Sequence, residues 1–196
     1  MAITMDPELG PVAVVSCSWI FMAYVFMPMG PTASMGGGSD AHKKWGDRTF
    51  MNMNEQAVFF FVSMWLFALF VDPVQAKNLG IAYLVLRFLY PVIWATMSDP
   101  AKPGPPMPQM FISTFPQYGI ILYEAISVVV KVNGGDMRSM LMGWDTIGVV
   151  ISSIAMMMFA VGLTMNVLTP LYAKAFFPKN EGYTDLSQEA TGDTKP

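Results

Sequence analysis

The sequence predicts an all-α integral membrane protein, and three observations indicate this fold class. Hydrophobic residues make up 54% of the 196 residues and charged residues only 13%, about half of the ~25% charge of an ordinary soluble domain. Long uncharged runs alternate with short polar breaks rich in Pro and Gly, a pattern typical of membrane spans and their loops. Several runs also approach the ~20 residues that cross a bilayer.

Five hydrophobic runs are the expected spans, and the first three have clear ends. The first ends before Pro28, and the second, which is rich in Phe and Trp, ends at Asp72-Pro73. Only about four to six residues link the second run to the third, so these two spans should be antiparallel neighbours. The five expected spans cover residues 11–27, 49–71, 78–97, 110–130 and 146–169.

The fourth run is shorter and more polar than the others. Pro116 interrupts it and Glu124 lies within it, so its helix is expected to begin near Pro116 and to be short for a bilayer of ~30 Å. The fifth run is the most hydrophobic and ends at Pro170. The predicted organisation is a single transmembrane domain over residues 1–177, followed by a polar tail over residues 178–196.

Composition argues against several other classes of protein. The net charge is −3 and the eleven basic residues form no block, so no nucleic-acid partner is expected. The single cysteine, Cys17, excludes an internal disulfide, and the lone His42 has no second ligand nearby in sequence, so no metal site is predicted. Polar residues cluster in one half of two spans, which favours a binding site over the continuous path of a transporter or channel.

Ionisable residues within the spans are the first functional signal. They are Glu55, Arg87 and Glu124, with Arg48 at the membrane edge. Each costs at least ~2.5–3.5 kcal/mol at mid-helix, so such residues are expected to face the bundle interior and to mark function. Arg48, Asn52 and Glu55 follow an i, i+4, i+7 spacing, which places them within ~60° of one helix face.

The third span carries a second polar stripe. Its members are Gly80, Tyr83, Arg87, Tyr90 and Trp94. One interpretation is that Glu55 and Arg87 form an ion pair that only holds the two helices in register. The other is a ligand site, which the additional Asn52 and the two tyrosines favour because one ion pair does not require them.

Two motifs in these stripes resemble the MAPEG family (membrane-associated proteins in eicosanoid and glutathione metabolism). RTFMNMNEQ fits the family's second-helix pattern R-x3-N-x2-E, and GIAYLVLRFLY fits its third-helix pattern G-x2-Y-x3-R-x2-Y. The resemblance covers about residues 48–94. It implies a four-helix transmembrane bundle, here with an additional fifth hydrophobic helix, that assembles as a homotrimer and binds glutathione between adjacent protomers.

The resemblance also implies roles for individual residues. Arg48 would bind a carboxylate of glutathione, Asn52 would hydrogen-bond its peptide group, and Glu55 would hold the γ-glutamyl amine. These residue types suit a ligand with two carboxylates and one ammonium group. Tyr90 would help to orient glutathione and Arg87 would support the site from behind, with Tyr83 on the same stripe.

The chain departs from the family pattern at the position that stabilises the thiolate. Catalytic members have an Arg near the end of the third helix, where this chain has Ala101, and the nearest basic residue is Lys102. Gln56 also stands where some members have Tyr or Asn. No catalytic residue is therefore predicted.

Two functions remain in competition. One is a glutathione-dependent transferase or peroxidase acting on a lipophilic small molecule. The other is a non-catalytic subunit of a larger membrane assembly, photosynthetic or respiratory, and endoplasmic reticulum, plastid and mitochondrial membranes are all compatible locations.

Overall fold

The computed structural model describes residues 7–97 and 109–140, together with isolated positions between 151 and 171. The chain divides into two compact units, Met1–Met157 and Met158–Pro196, and all the features below belong to the first. The described part of this unit is helical. After a 3-10 turn at Pro7–Leu9, its helices are α1 (Gly10–Phe26), α2 (Met29–Met35), α3 (Asp40–Phe70), α4 (Pro73–Met97), α5 (Phe111–Val132) and α6 (Met137–Met140).

Four stretches of the described chain are long and apolar enough to cross a membrane. They are Pro7–Met35, Asp40–Phe70, Pro73–Met97 and Phe111–Val132. The predicted all-α, multi-pass membrane fold is thereby confirmed. The expected fifth span, residues 146–169, and the polar tail, residues 178–196, lie almost entirely outside the described residues.

The second span begins earlier than predicted, because Ser39 caps a longer helix. The Ser39 hydroxyl accepts a hydrogen bond from the His42 backbone N–H at 3.4 Å, and the Ser39 N–H donates to His42 Nδ1 at 3.3 Å. This reciprocal capping box satisfies two N–H groups that a helix start would otherwise leave unpaired. The charged segment before residue 49 is therefore the first part of α3 rather than a loop.

Helices α3 and α4 are joined by two residues only. α4 begins with Pro73, a favoured first helical residue because its missing N–H needs no partner there. The Asp72 carboxylate accepts a hydrogen bond from the Gln75 N–H at 2.9 Å and so caps the new helix. This tight link makes α3 and α4 antiparallel neighbours, as the sequence predicts.

The expected start of the fourth span near Pro116 is wrong. α5 begins at Phe111 and contains Pro116. Pro116 is the sixth residue of the helix and removes the N–H that would bond to the Ile112 carbonyl. The turn before it is secured by backbone bonds from Ser113 and Thr114 to the Met110 carbonyl. The helix has 22 residues, which extends it to about 33 Å and allows it to cross the bilayer.

The core between α3, α4 and α5 is partly polar. On α3 the buried positions recur at alternating steps of four and three residues. Along this buried face, apolar side chains such as Phe60 alternate with polar ones such as Gln56. In contrast, the buried residues of α1 are all apolar. The buried polar and charged residues are Thr49, Gln56, Ser63, Arg87, Ser113, Gln117, Glu124 and Ser127.

Candidate functional site

Arg48, Asn52 and Glu55 lie on one face of α3, as their spacing predicts. This face points away from the protomer core, since the side chains of Arg48 and Glu55 are 52% and 54% exposed. The expectation that they face the bundle interior is wrong for the single protomer, because Thr49 and Gln56 occupy the core-facing positions. Arg48 Nη1 and Glu55 Oε1 are 3.9 Å apart, too far for a hydrogen bond.

Tyr90 connects this face of α3 to α4. Its side chain is buried, and its hydroxyl group is close enough to the side chain of Asn52 to interact with it. Close by, the Trp45 indole N–H donates to the Pro91 carbonyl at 3.0 Å. This bond ties the first half of α3 to the second half of α4, and it holds Tyr90 beside the face of α3 that carries Asn52.

Arg87 lies in the core behind Tyr90. Its Nη1 donates to Gln117 Oε1 at 3.2 Å and its Nη2 to the Thr49 carbonyl at 3.4 Å. Its guanidinium carbon lies 5.1 Å from the centre of the Tyr90 ring, a cation–π distance. Within the described part of the chain, Arg87 has no carboxylate in ion-pair range. The pairing of Glu55 with Arg87 is therefore not formed, because Glu55 points outwards from α3 and Arg87 points into the bundle.

Tyr83 is also a core residue and does not reach the exposed face. Its hydroxyl donates to Gln56 Oε1 at 3.2 Å, and its ring stacks on Phe60 with 4.0 Å between centroids. The six predicted residues thus form two groups. Arg48, Asn52 and Glu55 share the outward face of α3, with Tyr90 buried beside it, whereas Tyr83 and Arg87 lie deeper in the core.

Gln117 and Ser113 of α5 belong to the same network and were missed by sequence reasoning. The Gln117 amide donates to Ser113 Oγ at 2.9 Å, and Ser113 Oγ donates to the Leu86 carbonyl at 2.6 Å. Ser113 was missed because the helix was expected to start at Pro116, three residues later. Gln117 could have been found from its spacing: it lies seven residues before Glu124 and therefore on the same helix face.

The exposed group has the chemistry of a receptor for a small zwitterion. A guanidinium can bind a carboxylate in a bidentate manner, a carboxylate can hold an ammonium group, and the amide and phenol offer neutral hydrogen bonds. Ala101 and Lys102 lie outside the described residues. Where side chains are described, no three His, Cys, Asp or Glu residues approach closely enough to hold a metal ion.

Comparison with known proteins identifies one family. The model of the MAPEG family matches residues 12–123, more than half of the chain, and this segment contains all six predicted site residues. No curated protein and no solved structure matches the chain.

Proposed function

This chain belongs to the MAPEG family, and we propose that it binds glutathione at the exposed face of α3 beside Tyr90. The observation that carries the proposal is the outward-facing set of Arg48, Asn52 and Glu55. A glutamate within a span and an arginine at the membrane edge, with only a 3.9 Å contact between them, are costly without further partners. A zwitterionic peptide supplies a partner for each.

Each residue has a distinct role in this proposal. Arg48 binds a carboxylate of glutathione, Glu55 holds the γ-glutamyl ammonium group, and Asn52 hydrogen-bonds a peptide group. Tyr90 orients Asn52, whose side chain lies within reach of the Tyr90 hydroxyl group. Arg87 acts as a positioning residue because its guanidinium packs on the Tyr90 ring.

The half-exposed side chains indicate that one protomer supplies only part of the site. Arg48 and Glu55 would face lipid in an isolated protomer, where charged groups are unstable. A neighbouring protomer that covers this face of α3 would remove both groups from lipid and close the site. The proposal therefore includes a homo-oligomer, a trimer by the family resemblance, with glutathione at the interface.

Equilibrium binding of radiolabelled glutathione to the purified protein tests the proposal. Arg48→Ala and Glu55→Ala should each weaken binding by at least about tenfold, because a hydrogen bond to a charged group contributes ~1.5–3 kcal/mol. Lys43→Ala and Asp47→Ala are matched controls, since these two residues form another exposed ion pair on α3. Absence of binding to the wild-type protein at millimolar glutathione would contradict the proposal.

Sequence evidence favours a second candidate for the biological role. By the family resemblance, the position at which catalytic members stabilise the thiolate with Arg falls close to Ala101 in this chain, which is compatible with binding without turnover. The chain would then be a non-catalytic subunit of a larger membrane assembly. Gentle detergent extraction and native sizing test this role. Migration only as a small homo-oligomer, or glutathione conjugation of a lipophilic electrophile, would contradict it and favour a transferase or peroxidase.

A further inference from the structure

A buried carboxyl group lies between α3 and α5, apart from the proposed glutathione site. Glu124 is fully buried, and its Oε2 accepts a hydrogen bond from Ser63 Oγ at 2.6 Å. Ser127 follows one turn later on α5 and is also buried. Within the described chain, neither Glu124 Oε1 nor Ser127 Oγ has a hydrogen-bond partner. Buried polar atoms of this kind require an explanation, such as a bound ion.

Among the described residues, no basic side chain lies within ion-pair distance of Glu124. On α3, Ser63 lies between two aromatic pairs: Phe60 stacks on Tyr83, and Phe67 packs against Tyr123. Arg87 is engaged two turns away by Gln117. An ionised carboxylate in such a site costs several kcal/mol unless a cation accompanies it.

The arrangement of oxygen atoms suits a small cation of single charge. Glu124 and Ser127 are three residues apart on one helix face, where side chains are neighbours, yet their two oxygens do not hydrogen-bond to each other. A hard cation holds oxygen ligands at about 2.3–2.6 Å, so it can bridge oxygens that are too far apart to share a proton. One carboxylate and two hydroxyls balance one positive charge, whereas a divalent ion would leave an excess charge in the core.

We propose that Glu124, Ser127 and Ser63 form an intramembrane binding site for Na⁺. Polar groups lie near the α3–α4 turn on the same side of the bundle. Asp72 caps α4 there, and the Gln75 amide lies 3.5 Å from the hydroxyl of Tyr123, which precedes Glu124 in sequence. Glu124 lies eight residues before the end of α5 at Val132, which corresponds to a depth of about 12 Å.

Chemical modification of Glu124 provides the test. Dicyclohexylcarbodiimide reacts with carboxyl groups in apolar surroundings, and a bound cation blocks the reaction. The full chain in lipid nanodiscs would be treated in NaCl or in choline chloride of equal ionic strength, and the adduct would be located by peptide mass spectrometry. Glu124→Gln identifies the modified peptide, and Asp40, which is exposed at the start of α3, serves as an internal comparison.

The proposal predicts a Na⁺-specific effect at Glu124 only. Na⁺ at ten times its Kd should slow the modification of Glu124 about tenfold, and choline should not. Ser127→Ala should raise the Na⁺ concentration for half-protection about tenfold through loss of one ligand, whereas Ser127→Thr should preserve it. Modification of Glu124 at the same measurable rate in both salts would overturn the proposal.

A second measurement decides the case in which Glu124 reacts in neither salt. The midpoint of thermal unfolding should rise with Na⁺ and not with choline in the wild-type protein, because a ligand that binds the folded state stabilises it. Glu124→Gln should abolish this increase. A wild-type protein whose midpoint is the same in both salts would overturn the proposal.

Discussion

Replacing Gly46 by alanine should force α2 away from α3, because the two helices meet backbone to backbone at this residue. An added Cβ atom would lie 2.4 Å from the Gly30 nitrogen and 2.5 Å from the Met29 carbonyl carbon. Non-bonded heavy atoms rest about 3.5–4.0 Å apart, so α2 would have to move by about 1 Å. No rotamer change can relieve the contact, since both of these atoms belong to the main chain.

The expected cost follows from two opposing effects. Overpacking of this kind costs ~1–3 kcal/mol, and the upper end applies because only backbone can move. A helical Gly→Ala change returns ~1 kcal/mol, which leaves a net loss of about 2 kcal/mol. At Gly80 the added Cβ would meet side-chain atoms, Val15 Cγ1 at 2.7 Å and Met64 Sδ at 2.9 Å. These can shift, so Gly80→Ala should cost ~1 kcal/mol or less.

Gly10→Ala is the matched control, because nothing lies within 4 Å of its added Cβ. The assay is unfolding in mixed micelles by a denaturing detergent, followed by the loss of tertiary signal. The free energy of unfolding should decrease in the order wild type, Gly80→Ala, Gly46→Ala, with Gly10→Ala equal to wild type or above it. A Gly46→Ala protein as stable as Gly10→Ala would refute the close contact of α2 with α3.

Two further substitutions test the connection between the surface and the core. Tyr90→Phe should weaken glutathione binding by roughly three- to tenfold, because it removes the hydroxyl group proposed to orient Asn52, and a neutral hydrogen bond contributes ~0.5–1.5 kcal/mol. Wild-type affinity in the radioligand assay would contradict this role. Ser113→Ala should lower the free energy of unfolding by ~1–3 kcal/mol, since it removes the donor to the Leu86 carbonyl and leaves the Gln117 amide with fewer partners. An unchanged detergent-unfolding curve would show that this network does not stabilise the bundle.

Helical spacing predicted which residues share a face but could not predict where that face points. Arg48 and Glu55 lie on one side of α3, as expected, yet they are half-exposed. Thr49 and Gln56 each follow one of these residues directly in sequence, and they are also seven residues apart. Only the placement of α4 and α5 decides which of the two stripes is buried, and contacts across helices determine that placement.

Local sequence patterns could not predict the core partners of Arg87 or the start of α5. An internal proline commonly marks a helix boundary, but α5 begins five residues before Pro116 and continues through it. The bond from Arg87 to Gln117 joins residues 30 apart in the chain, so it depends on the register of α5 against α4. By contrast, Asp72-Pro73 correctly marked the α3–α4 link, since the cap and the helix start are both local.

Binding of deaminated glutathione to wild-type protein and to Glu55→Gln is the most direct test of the glutathione site. The analogue lacks the γ-glutamyl ammonium group, the partner proposed for Glu55. Wild-type protein should bind glutathione more tightly than the analogue by about 10- to 150-fold, as expected for a hydrogen bond between charged groups of ~1.5–3 kcal/mol. Glu55→Gln should bind both compounds with nearly equal affinity. A Glu55→Gln protein that still prefers glutathione by the wild-type factor would contradict the proposed site.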